Sequence, residues 1–111
     1  MNNIKGDSYY VEKILNDLSF IIKHMKNTSK EELNSNDLLW DSMMFRLIQI
    51  SENSKSLTEE YKNTRKEIPW RDISGLRNRI VHDYGNVDIE IVYNTLTEDI
   101  PALLTLFEKD N

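Results

Sequence analysis

Cysteine is absent from this 111-residue chain. Disulfide scaffolds, thiolate zinc sites and cysteine nucleophiles are thereby excluded. Histidine occurs only as His24 and His82, too few for a histidine-rich metal site. Glycine occurs three times and proline twice, and alternating apolar–polar runs are scarce, which leaves little room for sheet. No apolar run approaches the roughly 18 residues of a membrane span, and the opening MNNIKGDSYY has no signal-peptide apolar core. The expectation is a soluble cytoplasmic protein with no membrane association, folded as one domain over residues 1–111. Leu, Ile, Val and Phe number 12, 12, 4 and 3. Together they are about 28% of the chain, above the roughly 20% below which chains struggle to build a core.

The net charge of −5 seen as a total argues against nucleic acid, but it is unevenly distributed. Residues 1–61 are net −3 and residues 83–111 net −6, whereas residues 62–82 are net +4. That middle segment holds Lys62, Arg65, Lys66, Arg71, Arg77 and Arg79 against Glu67 and Asp72. Helix-surface charge accounts for such a cluster as readily as a phosphate site does.

Apolar residues recur at helical spacing nearly throughout. Val11, Ile14, Leu15, Leu18, Ile21, Ile22 and Met25 make one face of a helix over about 8–26, capped by Asp7 or Ser8. Ser29 and Glu32 match a capping box for a short turn. A second long helix starts near Ser35 or Asn36, and the polar run Ser51 to Ser56 is expected to close it. It carries two adjacent apolar stripes, one of Leu39, Met43, Leu47 and Ile50, the other of Trp40, Met44 and Ile48. So broad a face predicts burial on more than one side, against the core and a second subunit. Thr58 can cap a segment from Glu59 to about Lys66, and Pro69 suits the first turn of a helix ending at Gly85. Asp88 can cap the last helix, with Ile89, Val92, Leu96, Leu103 and Phe107 inward and a kink or break from Pro101 near Ile100. The spacing predicts an all-α, antiparallel four-helix bundle.

Residues 68–84 concentrate the chemistry. Arginine stays charged and grips phosphate in a fork, and histidine exchanges protons near neutral pH. Asn78 and His82 share a helix face, as do Arg77 and Tyr84, but Arg77 and His82 stand about 140° apart. They reach one substrate only if the helix end distorts or a second copy contributes. An arginine and a histidine without metal ligands suit cleavage of RNA, whose 2′-hydroxyl supplies the nucleophile. The plain alternative is a solvated pair bridged to Asp83 or Asp88.

Arg77-Asn78-Arg-Ile-Val-His82-Asp-Tyr84 resembles the Arg-x4-His-x-Tyr signature of the HepT-like toxins, a branch of the HEPN domain ribonucleases. Ile68-Pro-Trp-Arg before it and Val87-Asp-Ile-Glu-Ile-Val-Tyr with Asp99-Ile-Pro101 after it are similar to the family's flanks. The resemblance is close over residues 68–104 and elsewhere rests on helical pattern. It implies a HEPN-type bundle acting as a homodimer, a metal-independent endoribonuclease without cofactor whose RNA cleft is lined by both subunits. Arg77 and His82 would be the catalytic pair, with Asn78 as supporting polar residue. Tyr84 would receive AMP from a partner nucleotidyltransferase antitoxin of the MntA type, which blocks the cleft. One departure stands out: such families often show Gly-Glu-Ala where this chain has Ser51-Glu52-Asn53. This reads as a packing difference, with the role of Glu52 open.

Other residues weigh less. Arg71 and Arg79 either extend a strip for the RNA backbone or pair with Asp72 and Asp83. His24 reads as a surface histidine, Trp40 and Trp70 as core or dimer anchors, Tyr9 and Tyr10 as core edge, and Glu98-Asp99 as a solvated face rather than a metal site. The alternative function is a non-catalytic, nucleotide-binding docking partner of a nucleotidyltransferase.

Overall fold

The computed structural model describes residues 5–83 and 87–109, which are helical with no strand. The helices are α1 (Asp7–Met25), α2 (Lys30–Ser35), α3 (Asp37–Lys55), α4 (Glu59–Asn63), α5 (Trp70–Asp83), α6 (Ile89–Asn94) and α7 (Ile100–Glu108), with a π-helical turn at Thr95–Asp99 between the last two. Tyr84, proposed as the modified residue, and Gly85, expected to stop its helix, lie outside the described residues.

Local chemistry sets most of the boundaries. Ser29 Oγ accepts from the Glu32 amide at 3.0 Å while the Glu32 carboxylate accepts from the Ser29 amide at 2.9 Å, which completes the capping box of α2. Thr58 and Asp88 cap α4 and α6 through their side chains, as expected, and Asn36 caps α3 in the same way. One expectation needs correction. Neither Asp7 nor Ser8 caps α1; Gly6 occupies that position, and Asp7 accepts instead from the Thr58 amide and hydroxyl. The polar run Ser51 to Ser56 closes α3 as expected, at Lys55 with Ser56 as its C-cap, but its residues Ser51, Asn53 and Ser54 are helical and buried. Small polar residues are tolerated there because Ser51 Oγ donates to the Ser74 carbonyl and Ser54 Oγ to the Ser51 carbonyl. The last helix is interrupted near Ile100, as expected: a π-helical turn over Thr95–Asp99 separates α6 from α7, the Ile100 amide reaches back to the Thr95 carbonyl, and Pro101 sits in the first turn of α7, where its missing N–H is tolerated.

The core joins α1, α3, α5 and the C-terminal helices, with Ile14, Leu18, Ile21, Met43, Leu47, Ile50, Leu96 and Phe107 almost wholly buried. α3 is central and packs against α1, α2 and α5, while α1 also packs against α7. The breadth of its apolar surface therefore has an explanation inside one chain. Met43, Met44, Leu47 and Ile50 are buried, and Leu39, Trp40 and Ile48 pack on the core. The apolar residues that α3 leaves exposed are ones outside both stripes, Leu38 at 78% and Phe45 at 55%. Trp70 anchors the entry to α5: its indole N–H donates to the Arg65 carbonyl, and its ring meets Phe107 edge-on at 5.6 Å.

Candidate active site

α5 is the element on which the candidate residues sit. Pro69 precedes it, Ile73 and Ile80 bury its inner face, and Ser51 Oγ on Ser74 pins it to α3. The helix remains α-helical from Trp70 to Asp83. The distorted helix end that would have brought Arg77 and His82 together within one chain is therefore absent over that span. At about 100° per residue, Arg71, Gly75, Asn78 and His82 lie on the outward face. Arg77 lies on the flank facing α3. Arg79 lies on the other flank, where it lines a groove of about 490 Å³ with Ile91, Asp99, Leu103 and Leu106. Arg79 is thus separated from Arg77, whereas Arg71 shares the face of His82 and leads on to a shallow dish that includes Lys62 and Lys66.

Arg77, Asn78 and His82 are all exposed. Arg77 has a specific partner: its Nε lies 3.5 Å from Glu52 Oε2, and that same oxygen lies 3.6 Å from Lys55 Nζ. Glu52 thus stands at the candidate site, although sequence spacing could not join residues 25 apart on different helices. The available signal was its place in the Ser51-Glu52-Asn53 triplet. The helices run antiparallel, since Ser51 meets Ser74 while Leu47, one turn earlier, shares a cavity with Leu76 and Ile80. Phe45 and Val81 consequently lie toward the same end, about 10 Å and 6 Å along their helices from the Glu52–Arg77 pair. Val81 is itself 49% exposed.

A second charged pair went unpredicted. Arg46 Nη1 donates to Asp17 Oδ1 at 2.7 Å, and the guanidinium carbon stands 3.8 Å from the Phe20 ring centroid. Burial pushes the Asp17 carboxyl above its usual range, against the opposing pull of Arg46 and then Lys13. A lone acid inside the α1 apolar stripe, between Ile14 and Leu18, was the signal. His24 is exposed and stacks on Phe20, while Tyr9 and Tyr10 meet edge-on at 5.1 Å with Tyr9 exposed. Glu98 and Asp99 are exposed, and no three His, Cys, Asp or Glu among the described residues could share a metal ion. No helix among those residues is long and apolar enough to cross a membrane.

An all-helical chain with an arginine and a histidine exposed on one basic helix fits a HEPN-type helical protein. A family model described as Ribonuclease HepT-like matches residues 14–109. The chain belongs to the HepT-like ribonuclease family. Among its relatives, a candidate RNase of Caldanaerobacter subterraneus subsp. tengcongensis is 31% identical over 94 residues, covering 85% of this chain and 84% of the relative. A protein of Thermococcus cleftensis named as a probable ribonuclease HepT is 40% identical over 60 residues, covering 54% of each chain. No solved structure matches the chain.

Proposed function

We propose that the chain is a toxin-type endoribonuclease that cleaves RNA without metal at a cleft formed by two copies, on a HEPN-type four-helix scaffold. The observation that carries this reading is the exposure of Arg77 and His82 on the regular helix α5, in the one segment of net positive charge, within a ribonuclease family. Arg77 would grip the non-bridging oxygens of the scissile phosphate as negative charge builds there. The RNA 2′-hydroxyl attacks phosphorus and passes its proton to water, the bond to the 5′-oxygen breaks, and a protonated His82 gives its proton to that leaving oxygen. A 2′,3′-cyclic phosphate and a free 5′-hydroxyl result. Asn78, one turn before His82, supports by hydrogen bonding, and Arg71 extends the contact along the RNA backbone.

Two copies are invoked because α5 holds Arg77 and His82 about 140° apart. The exposed apolar residues Leu38, Phe45 and Val81 favour an interface beside the site. A second chain seated there would set its His82 near this chain's Arg77. Tyr84, two residues beyond His82, would take AMP from an MntA-type nucleotidyltransferase antitoxin, adding a phosphate that competes with RNA for arginine.

The test is cleavage of single-stranded RNA by purified protein with metal chelated. Wild type should cut and His82→Ala should not, with unchanged circular dichroism. Equal behaviour of the two refutes the enzyme reading. An intact-mass gain equal to AMP at Tyr84, with no nuclease activity in the unmodified protein, would support the docking-partner alternative instead.

A further inference from the structure

We infer that Glu52 is a positioning residue for Arg77, an inference that rests on the ribonuclease reading above. A guanidinium offers two separate edges: one built on Nε, the other the fork of Nη1 and Nη2. Glu52 Oε2 sits 3.5 Å from Nε, and no ion pair or hydrogen bond among the described residues engages the Nη1–Nη2 fork. That fork is the edge that matches two phosphate oxygens.

The backbone around the pair is fixed. Ser51, adjacent to Glu52, is fully buried, and its hydroxyl donates to the carbonyl of Ser74, one turn before Arg77. Lys55, one turn after Glu52, lies 3.6 Å from the same carboxylate oxygen. One turn of α3 and one turn of α5 are therefore joined by a part-buried hydrogen bond and an exposed ion pair. An unheld arginine spreads over many rotamers, and ordering it costs side-chain entropy. Glu52 restricts that search before RNA arrives. Its charge acts oppositely on affinity, since a carboxylate beside the arginine repels phosphate.

These two effects separate binding from chemistry. In single-stranded RNA cleavage by the full chain, Glu52→Ala should lower kcat about ten- to a hundredfold, the scale of a misplaced catalytic group. KM should stay level or fall, and the melting temperature should not change, because both side chains are nearly half exposed at 45% and 48%. Glu52→Gln, which keeps the length of the side chain and an oxygen beside Nε without the charge, should recover part of the rate. In an Arg77→Ala background, Glu52→Ala should cost nothing further. Unchanged or faster cleavage by Glu52→Ala, or an equal loss in the Arg77→Ala background, overturns the inference. Wild-type protein that cuts no RNA refutes the ribonuclease reading, and the inference is then decided by the Arg77 Nε–Hε resonance. A distinct signal that Glu52→Ala abolishes supports it; a signal already averaged in the wild type overturns it.

Discussion

Breaking the Asp17–Arg46 pair should cost very different amounts depending on which partner is removed. The side chain of Asp17 is 9% exposed and that of Arg46 is 30% exposed. In Asp17→Asn the arginine keeps its contact with the Phe20 ring at 3.8 Å and can reach water. The loss should be about 1 kcal/mol, that of one charged hydrogen bond at a partly solvated site. In Arg46→Met the carboxylate stays buried without its cation, and the loss at neutral pH should be about 2–3 kcal/mol. For a chain of this length 1 kcal/mol is about 4 °C in melting temperature. The expected falls are therefore about 4 °C and about 8–12 °C. The pH dependence carries the same asymmetry. Burial raises the Asp17 pKa in the folded state, so the folded protein holds that proton more tightly than the unfolded one. Its favourable contribution is fully present below the unfolded value of about 3.9 and is lost as pH rises through the higher folded value. Arg46→Met removes the two effects of Arg46 that oppose the rise. The window then extends upward, and acidification from pH 7 to 5 should restore part of its stability. Thermal denaturation of both variants across that range decides it. Equal losses, or a larger loss in Asp17→Asn, would refute the reasoning.

Asn53→Ala should raise the melting temperature by several degrees, because Asn53 Nδ2 is buried without a hydrogen-bond partner and alanine is the better helix former; calorimetry showing a lower value contradicts this. Asp7 is held below the usual carboxylate range by accepting from the Thr58 hydroxyl and amide. Its stabilisation is present above the unfolded pKa and disappears as pH falls through the lower folded value, so Asp7→Asn should lose less melting temperature than wild type between pH 6 and 3. Phe45→Ser should shift sedimentation from dimer to monomer at micromolar concentration and abolish RNA cleavage with little effect on helix content. A wild-type monomer in the same measurement would sink both the interface and the composite site.

Much of the fold is legible in the sequence because helices advertise themselves locally. The stripe from Val11 to Met25, the Ser29–Glu32 box and the caps at Asn36, Thr58 and Asp88 all involve residues within a turn or two of each other. What escaped depends on which helix lies beside which. Ser51 reads only as the start of a polar closing run until its hydroxyl is seen to meet the Ser74 carbonyl, and Glu52 has no partner in the sequence until Arg77 stands opposite. The wide apolar face of α3 implied a second subunit, because one sequence does not reveal that α1, α2 and α5 cover it already. Arg77 and His82 were legible as types and spacing. The separation of Arg79 from Arg77 needed the groove beside α6 and α7.

The charge distribution gives the proposed cleft a built-in selectivity. An acidic body repels the RNA backbone over most of its surface, and screening confines that repulsion to about 8–10 Å at physiological salt. RNA therefore gains affinity only where several arginines lie together, and one α5 spreads its arginines around the helix, with Arg77 on the flank facing α3 and Arg79 on the opposite flank. Two α5 helices brought side by side double the positive charge without doubling the acidic surface that RNA must approach. Glu52 removes part of that gain at Arg77, the proposed catalytic arginine. A site tuned for tight RNA binding would not place a carboxylate there. A site tuned to orient one guanidinium would, because rate depends on stabilising charge that develops at phosphorus rather than charge already present in every phosphate of the chain.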